Sequence, residues 1–439
     1  MTAMSSLFSK MLRAARFVVR AGRKVSRAMR ADYCPLPLST FAFVNGDGDI
    51  ARLHRACHRL LISRCTTVRS WGRLLISTLA WPFSSLLRSL AMAARHGGSV
   101  ARRHGVSRWR QVGGSMRAAM HHNMNARLFY WFDLFRPDAP DPGTFIMPHE
   151  LKVIAEVLAT TSMVPDISTK TGFLRCCNEL GLPHVPILAS FFSDGRSEWG
   201  HGGQDAAIGN DLLLKPADWA EGPSGELWKW QEGKGNWQRQ GKEADLREIE
   251  ARGRELAVGH IMLMQPFVPD HPVLRRLGML GTCTLRFSTL AVLGGEPQPL
   301  YASLRIPGGW WRAESGPETD MVARVVDFST GELGEAVARC SHRRWKRHPD
   351  TGEAIAGLRL PLWDQAMALA ARAHRNMLGY PVMAWDILIG VNESLLLDAC
   401  VDPAIDLAHV PLGGPVGDRK FAASVLVHCE RLGSVTAVA

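Results

Sequence analysis

The stretch VMAWDILIGVNESLLLDACVDP, Val382 to Pro403, decides the fold of this chain. Val382–Val391 and Ser394–Cys400 are apolar runs separated by Asn392 and Glu393, the pattern of two strands joined in a hairpin. Each strand carries one carboxylate, Asp386 on the first and Asp398 on the second. A carboxylate among apolar neighbours is costly unless it is paired, and two on adjacent strands are a common way to hold a hard divalent cation. On an edge hairpin the same two acids could instead face water.

The order of features upstream bears on that choice. Lys170 opens a helical run, TKTGFLRCCNELGLPHVP, that ends at Gly181 and the proline beyond it. Lys215 closes a buried-strand pattern, NDLLLKP, and PADWAEGPSGELWKW follows as a small-residue loop able to lay backbone N–H groups against phosphate oxygens. Next comes IMLMQPFVPDHP, an apolar strand that stops at Gln265. TCTLRFSTLAVL and PLYASLRIPGG then read as strands carrying Arg286 and Arg305; on residue type alone either arginine could equally be a surface charge. HPDTGEAIAGLRLPLW and a helix through DQAMALAARAHRNML complete the approach to the acidic hairpin.

That order resembles the ATP-grasp superfamily, and in detail the sugar-transfer-associated ATP-grasp proteins related to alpha-L-glutamate ligases. The resemblance runs from about Phe129 to the C-terminus and is carried by LLLKPADW, MLMQPFVPDHP, GTCTLRFSTL, YASLRIPGG, HPDTGEAIAGLRLPLW and MAWDILIGVNESLLLDAC. It implies an α+β fold of two lobes with the nucleotide between them. Residues 126–262 would form the preceding region and the N-lobe, and 263–439 the C-lobe, after a basic, mainly helical extension with a linker over 1–125. Lys170 and Lys215 would neutralise the phosphates of ATP, with Gly222, Ser224 and Gly225 closing over them. Gln265 and the backbone to Val268 would read the adenine edge. Asp386 and Asp398 would hold Mg²⁺, and Arg286 or Arg305 would stabilise an acyl-phosphate oxygen.

The implied activity is an ATP-dependent carboxylate–amine, or carboxylate–nucleophile, ligase working through an acyl-phosphate in cell-surface polysaccharide or glycoconjugate modification. One departure keeps an alternative open. Where the family offers Glu, one residue, then Asn, this chain has Asp398, Ala399 and Cys400, a shorter acid and a thiol that suits Mg²⁺ poorly. The alternative is a catalytically degenerate nucleotide-binding scaffold at the membrane.

The 439 residues, 46% of them hydrophobic, can support two or three domains. The overall charge of +11 is uneven: residues 1–130 hold 22 Lys and Arg against 3 Asp, a net of +19, which leaves −8 for the remainder. No acid precedes Asp32, and SSLFSKMLRAARFVVRAGRKVSRAMR spaces Leu7, Met11, Phe17 and Val18 between arginines in a helical stripe. Such a helix can lie on an anionic membrane or meet a polyanion, and it lacks the apolar core and cleavage site of a secretion signal.

LLISTLAWPFSSLL, Leu74–Leu87, is uncharged, too short to span a bilayer and interrupted by Pro82, so an interfacial or buried helix is expected. RHGGSVARRHGVSRWRQVGGSMR, Arg95–Arg117, reads as a basic Gly/Ser linker without a nucleic-acid-binding signature. The expected partners are therefore a small-molecule or glycan-linked carboxylate and an anionic membrane surface met by residues 1–130, with the protein on the cytoplasmic face. Nine scattered cysteines fit a reducing compartment. His54, Cys57 and His58 fall on one predicted helix, and the absence of a second ligand pair in the sequence argues against zinc there.

Overall fold

The computed structural model describes residues 48–400 apart from 64, 137–138, 148, 151–166, 168, 201, 218–224, 279–281, 292–294, 308–320, 339–343, 378–379 and 381, and also residues 422 and 426. The stripe Leu7–Val18 lies outside the described residues. The chain divides into two compact units, the first running to Ile154 and the second beginning at Ala155.

The first unit is helical: α1 (Asp49–Ser63), α2 (Val68–His104), α3 (Arg108–His122) and α4 (Ala126–Trp131). Two sequence expectations are corrected here. Pro82 does not interrupt the apolar run; it sits inside α2, a helix of 37 residues. Its missing N–H and ring cost about 3 kcal/mol in a helix interior. Against that cost stand a capping box between Thr67 and Ser70, a left-handed cap at Gly105 (φ 68°), and tertiary packing.

Nor is Arg95–Arg117 a linker: it comprises the end of α2, the turn at Gly105 and most of α3. The small residues that looked like linker composition are the contact surface. Ser89 meets Ser115 at 2.9 Å within the core, Gln111 donates to the Gly97 carbonyl, and a Cβ at Gly114 would lie 2.9 Å from the Phe129 ring. Residue 126 begins α4, and Phe129, Tyr130 and Trp131 are buried, with the Tyr130 hydroxyl donating to Gln111 at 2.9 Å.

The second unit holds two seven-stranded sheets in which every adjacent pair is antiparallel. After α5 (Lys170–Glu179), the first sheet uses β1 (Ala189–Phe191), β2 (Ser197–Trp199), β3 (Leu212–Pro216), β4 (Glu226–Gln231), β5 (Asn236–Arg239), β6 (Lys242–Ala244) and β7 (Met262–Pro266). Their order is β2-β1-β7-β3-β4-β5-β6, and α6 (Leu246–Leu256) precedes β7.

The second sheet follows α7 (Pro272–Arg275) and comprises β8 (Thr284–Leu290), β9 (Gln298–Ile306), β10 (Met321–Asp327), β11 (Glu332–Ala338), β12 (Arg344–Trp345), β13 (Val382–Ile389) and β14 (Ser394–Cys400). The order is β12-β11-β10-β9-β8-β13-β14, with α8 (Trp363–Arg375) before β13.

Alternation along each strand assigns its two faces. In β3, Leu212 and Leu214 enter a core with Met262, Met264, Ile249 and Phe191, and a Cβ at Gly253 would fall 2.5 Å from the Phe191 ring. In the second sheet Leu285, Phe287, Ala302, Leu304, Trp385 and Ile387 build the larger core with Trp363, Ala366 and Ala370 of α8. The opposite faces carry, among apolar residues such as Leu213, Leu263 and Leu388, the polar side chains Lys215, Gln265, Arg286 and Asp386.

Candidate active site

Cross-strand register places the polar face of the second sheet. Asp386 sits opposite Asp398 on one side and opposite Arg286 on the other, Arg286 is opposite Ser303, and Ala384 is opposite Cys400. Residues directly opposite share a face, so Arg286, Ser303, Asp386, Asp398 and Cys400 all emerge on the side away from Phe287 and Trp385.

The two arms of the hairpin thus bring both acids together, through a register shift between Asp386 and Ile387. The guanidinium of Arg286 grips Asp386 in a two-pronged pair, Nε to Oδ1 and an η-nitrogen to Oδ2, both at 2.8 Å. Arg286 is held well above its usual pKa: burial opposes the charge, and the adjacent Asp386 more than restores it. Both Asp386 oxygens are therefore committed, and a metal there would use their second lone pairs.

Asp398 keeps an open side. Its side chain is 44% exposed, Oδ1 accepts from the Ala399 N–H at 2.9 Å, and Lys170 Nζ lies 3.9 Å from Oδ2. Its pKa is raised, by burial first and by the like charge of Asp386, with Lys170 pulling the other way. Lys170 reaches this point because Thr169 caps α5, its hydroxyl accepting from the Gly172 N–H, so the lysine is the first residue of the helix.

Lys215 arrives from the other sheet. Leu213 and Lys215 lie on the face of β3 away from the Leu212/Leu214 core, with Leu213 opposite Gln265 and Lys215 opposite Leu263. Lys215 is only 8% exposed, and its pKa falls to about 7 because of burial, the neighbouring charge of Lys170 and a contact with that amine, offset in part by Asp398. Two amines held against each other repel, and an anion placed beside them would relieve that repulsion.

Gln265 is almost fully buried. Its amide nitrogen donates to the carbonyls of Val185 at 3.0 Å and Pro186 at 3.2 Å, while Oε1 is buried with no hydrogen-bond partner. That segment links the sheets: the Val185 N–H donates to the Leu396 carbonyl, and the Leu188 N–H to the Met264 carbonyl. Val268 packs beside it against Val185, Leu388 and Leu395. An orphaned buried acceptor is costly, and a donor on a bound molecule would relieve it.

The remaining expected residues are not all brought to this cluster. Arg305 lies on an outward position of β9 opposite Thr284 and Val322, two residues beyond Ser303 and on the same face. Gly222 and Ser224 lie outside the described residues, and Gly225 stands directly before β4.

The structure adds one residue to that face and, apart from it, one buried acid. Arg324 faces Ser303 from β10, its Nε is buried without a hydrogen-bond partner, and burial lowers its pKa. A lone arginine in the apolar strand MVARVVD is the same signal that picked out Arg286 and Arg305. Asp270, at the turn after β7, is 5% exposed, accepts from the Cys283 N–H at 2.8 Å and is pushed by burial to a pKa of about 6.

Comparison with family models matches residues 156–414 to the sugar-transfer associated ATP-grasp family. No curated protein matches the chain. Among solved structures it is similar to the ADP complex of purK, N5-carboxyaminoimidazole ribonucleotide synthetase, at 13% identity over 54% of this chain and 45% of that one, with a TM-score of 0.29. D-alanine–D-alanine ligase from Bacillus anthracis gives 9% identity over 60% and 69% of the two chains, with a TM-score of 0.32. The ATP-grasp ligase PsnB, in complex with precursor peptide PsnA2 and AMPPNP, gives 13% over 66% and 67%, with a TM-score of 0.28. The chain thus spans less than half the length of the purK enzyme.

Proposed function

Because this chain belongs to the sugar-transfer-associated ATP-grasp family, we propose that it is an ATP-dependent ligase that activates a carboxylate for attack by an amine or another nucleophile. The single observation that carries the proposal is the convergence of Lys215 and Lys170 from different elements onto Asp398. Lys215 and Lys170 would bind the phosphates, Gln265 Oε1 would accept from the adenine amino group, and the backbone to Val268 would line the base.

Asp398 and the free lone pairs of Asp386 would hold Mg²⁺, which supplies charge neutralisation of the phosphates when bound. The substrate carboxylate would attack the γ-phosphorus and expel ADP. The nucleophile would then displace inorganic phosphate from the acyl-phosphate, forming an amide or ester and releasing a proton. Arg286, braced by Asp386, and the outward Arg305 would face the oxyanion charge. The family's description supports a substrate linked to sugar transfer, and so an acceptor in polysaccharide or glycoconjugate assembly. Release of ADP that requires one uronate or amino acid from a panel tests the reading; ATP binding with no release across carboxylate and amine mixtures would sink it.

The second reading, a nucleotide-binding scaffold that no longer turns over, is favoured by the commitment of both Asp386 oxygens to Arg286 and by Cys400 in place of an amide. ADP release that depends on an added carboxylate counts against it.

We also propose that the first unit meets an anionic membrane. On α2, Trp71, Leu75, Leu79, Phe83, Leu86 and Leu90 recur every three or four residues, and all are exposed. Exposed Arg69, Arg73, Arg95, Arg102 and Arg103 flank this stripe. By length and composition α2 is also apolar enough to cross a bilayer, which the run Leu74–Leu87 alone was not expected to be. Leu79→Ser with Phe83→Ser should cut binding to anionic vesicles; unchanged binding would remove α2 as the contact.

A further inference from the structure

We infer that the first unit contains a transition-metal site formed by His58, His149 and Glu150. His54 and His58 are one turn apart on α1, and their helix face was expected to lack a second ligand pair. The fold supplies that pair from 91 residues away in the sequence, roughly where the unit ends. The potential ligand atoms of His58, His149 and Glu150 all lie within 4.8 Å of one another.

His58 and Glu150 are each 2% exposed and His149 is half-buried, so the cluster lies at the edge of the interior. His58 Nε2 is 3.7 Å from Glu150 Oε1, the rings of His58 and His149 stack at 6.3 Å between centroids, and His149 Nε2 is buried with no hydrogen-bond partner.

His54 has a different part. Nε2 faces the Gly143 carbonyl at 3.0 Å and Nδ1 faces Glu150 Oε1 at 2.6 Å. Both ring nitrogens meet oxygen acceptors, which is the hydrogen-bonding pattern of the imidazolium ion, a donor at both positions. His54 therefore orients the carboxylate from outside, as does the Met147 N–H, which donates to Glu150 Oε2 at 2.8 Å. Cys57, next to His58, turns its thiol to the Glu150 carbonyl at 4.0 Å and is not in the ligand set.

Two imidazoles and one carboxylate, with no thiolate, suit Zn²⁺ or another first-row divalent ion with a position left for water, and suit Mg²⁺ poorly. Such an ion would pin α1 to the residues that lead into the second unit. This inference is independent of the ATP site.

The test uses the full chain, stripped with chelator and titrated with Zn²⁺ against a chromophoric competitor, and with Co²⁺ followed by absorption. One tight equivalent is expected. His58→Gln and His149→Gln should each lower its affinity by at least about 100-fold, more than the loss of an outer partner costs, while His121→Gln leaves it unchanged. Zinc should raise the Tm of the wild type and not of His149→Gln, whose helical circular dichroism and cooperative melting without metal report that the first unit is folded. The Co²⁺ spectrum decides even where a variant fails to fold: visible bands without thiolate charge transfer fit the site. A thiolate band, no stoichiometric binding, or unchanged affinity in the folded histidine variants would overturn it.

Discussion

Binding of Mg·ATP above pH 7 should draw a proton onto Lys215. In the free protein this lysine has a pKa of about 7, set by burial and by Lys170, against an ordinary 10.5. At pH 8 only about one-tenth of the molecules carry its proton. A bound triphosphate that restores the ordinary value would therefore take up about 0.9 proton at pH 8, and affinity should fall roughly 50-fold between pH 7 and pH 9, in step with the protonated fraction.

The linkage sign is opposite for stability. The unfolded chain holds this proton up to about 10.5 while the folded chain releases it near 7, so the nucleotide-free protein should gain stability as pH rises through that window. Calorimetry at pH 8 in buffers of differing ionisation enthalpy measures the uptake. Lys215→Arg, whose charge does not titrate there, should abolish it, and Lys215→Ala should weaken binding at pH 7 by about 2 kcal/mol. Uptake below about 0.2 proton in the wild type, or equal uptake in the arginine variant, would refute the assignment of Lys215 to the phosphate site.

Three further outcomes can be checked directly. The double change Asp398→Glu with Cys400→Asn rebuilds a harder ligand set and should lower the Mg²⁺ concentration needed for ADP release at equal or higher turnover; reduced activity would show that the native pair is the adapted one. Trp385→Ala should destabilise the second unit by about 3–5 kcal/mol in denaturant titration, because it empties a fully buried site and strips Thr289 of the indole donor at 2.8 Å. Arg324→Met removes a buried guanidinium whose Nε has no partner; without nucleotide it should leave stability within about 1 kcal/mol while raising the apparent KM for one substrate, and an unchanged KM would confine Arg324 to a packing role.

Local pattern made most of the second unit legible. The apolar runs VMAWDILI and SLLLDAC and the turn at Asn392-Glu393 placed Asp386 and Asp398 on the two arms of one hairpin, but setting them directly opposite each other takes a register shift between Asp386 and Ile387 that only the structure shows. Thr169, Lys170 and the proline beyond Gly181 marked α5 in the same way. What a strand pattern cannot give is its neighbour on the far side. That β8 lies against β13, and so sets Arg286 on Asp386, depends on a pairing across 100 residues.

The first unit shows the converse. Its glycines and serines look like a linker when read in order, because composition reports only that they are small. Smallness lets α2 approach α3 and α4 closely, and only the packed structure distinguishes close contact from an unstructured connection. The histidines follow the same rule: sequence placed His54 and His58 on one helix, but the meeting with His149 and Glu150 is a long-range contact that no local periodicity encodes.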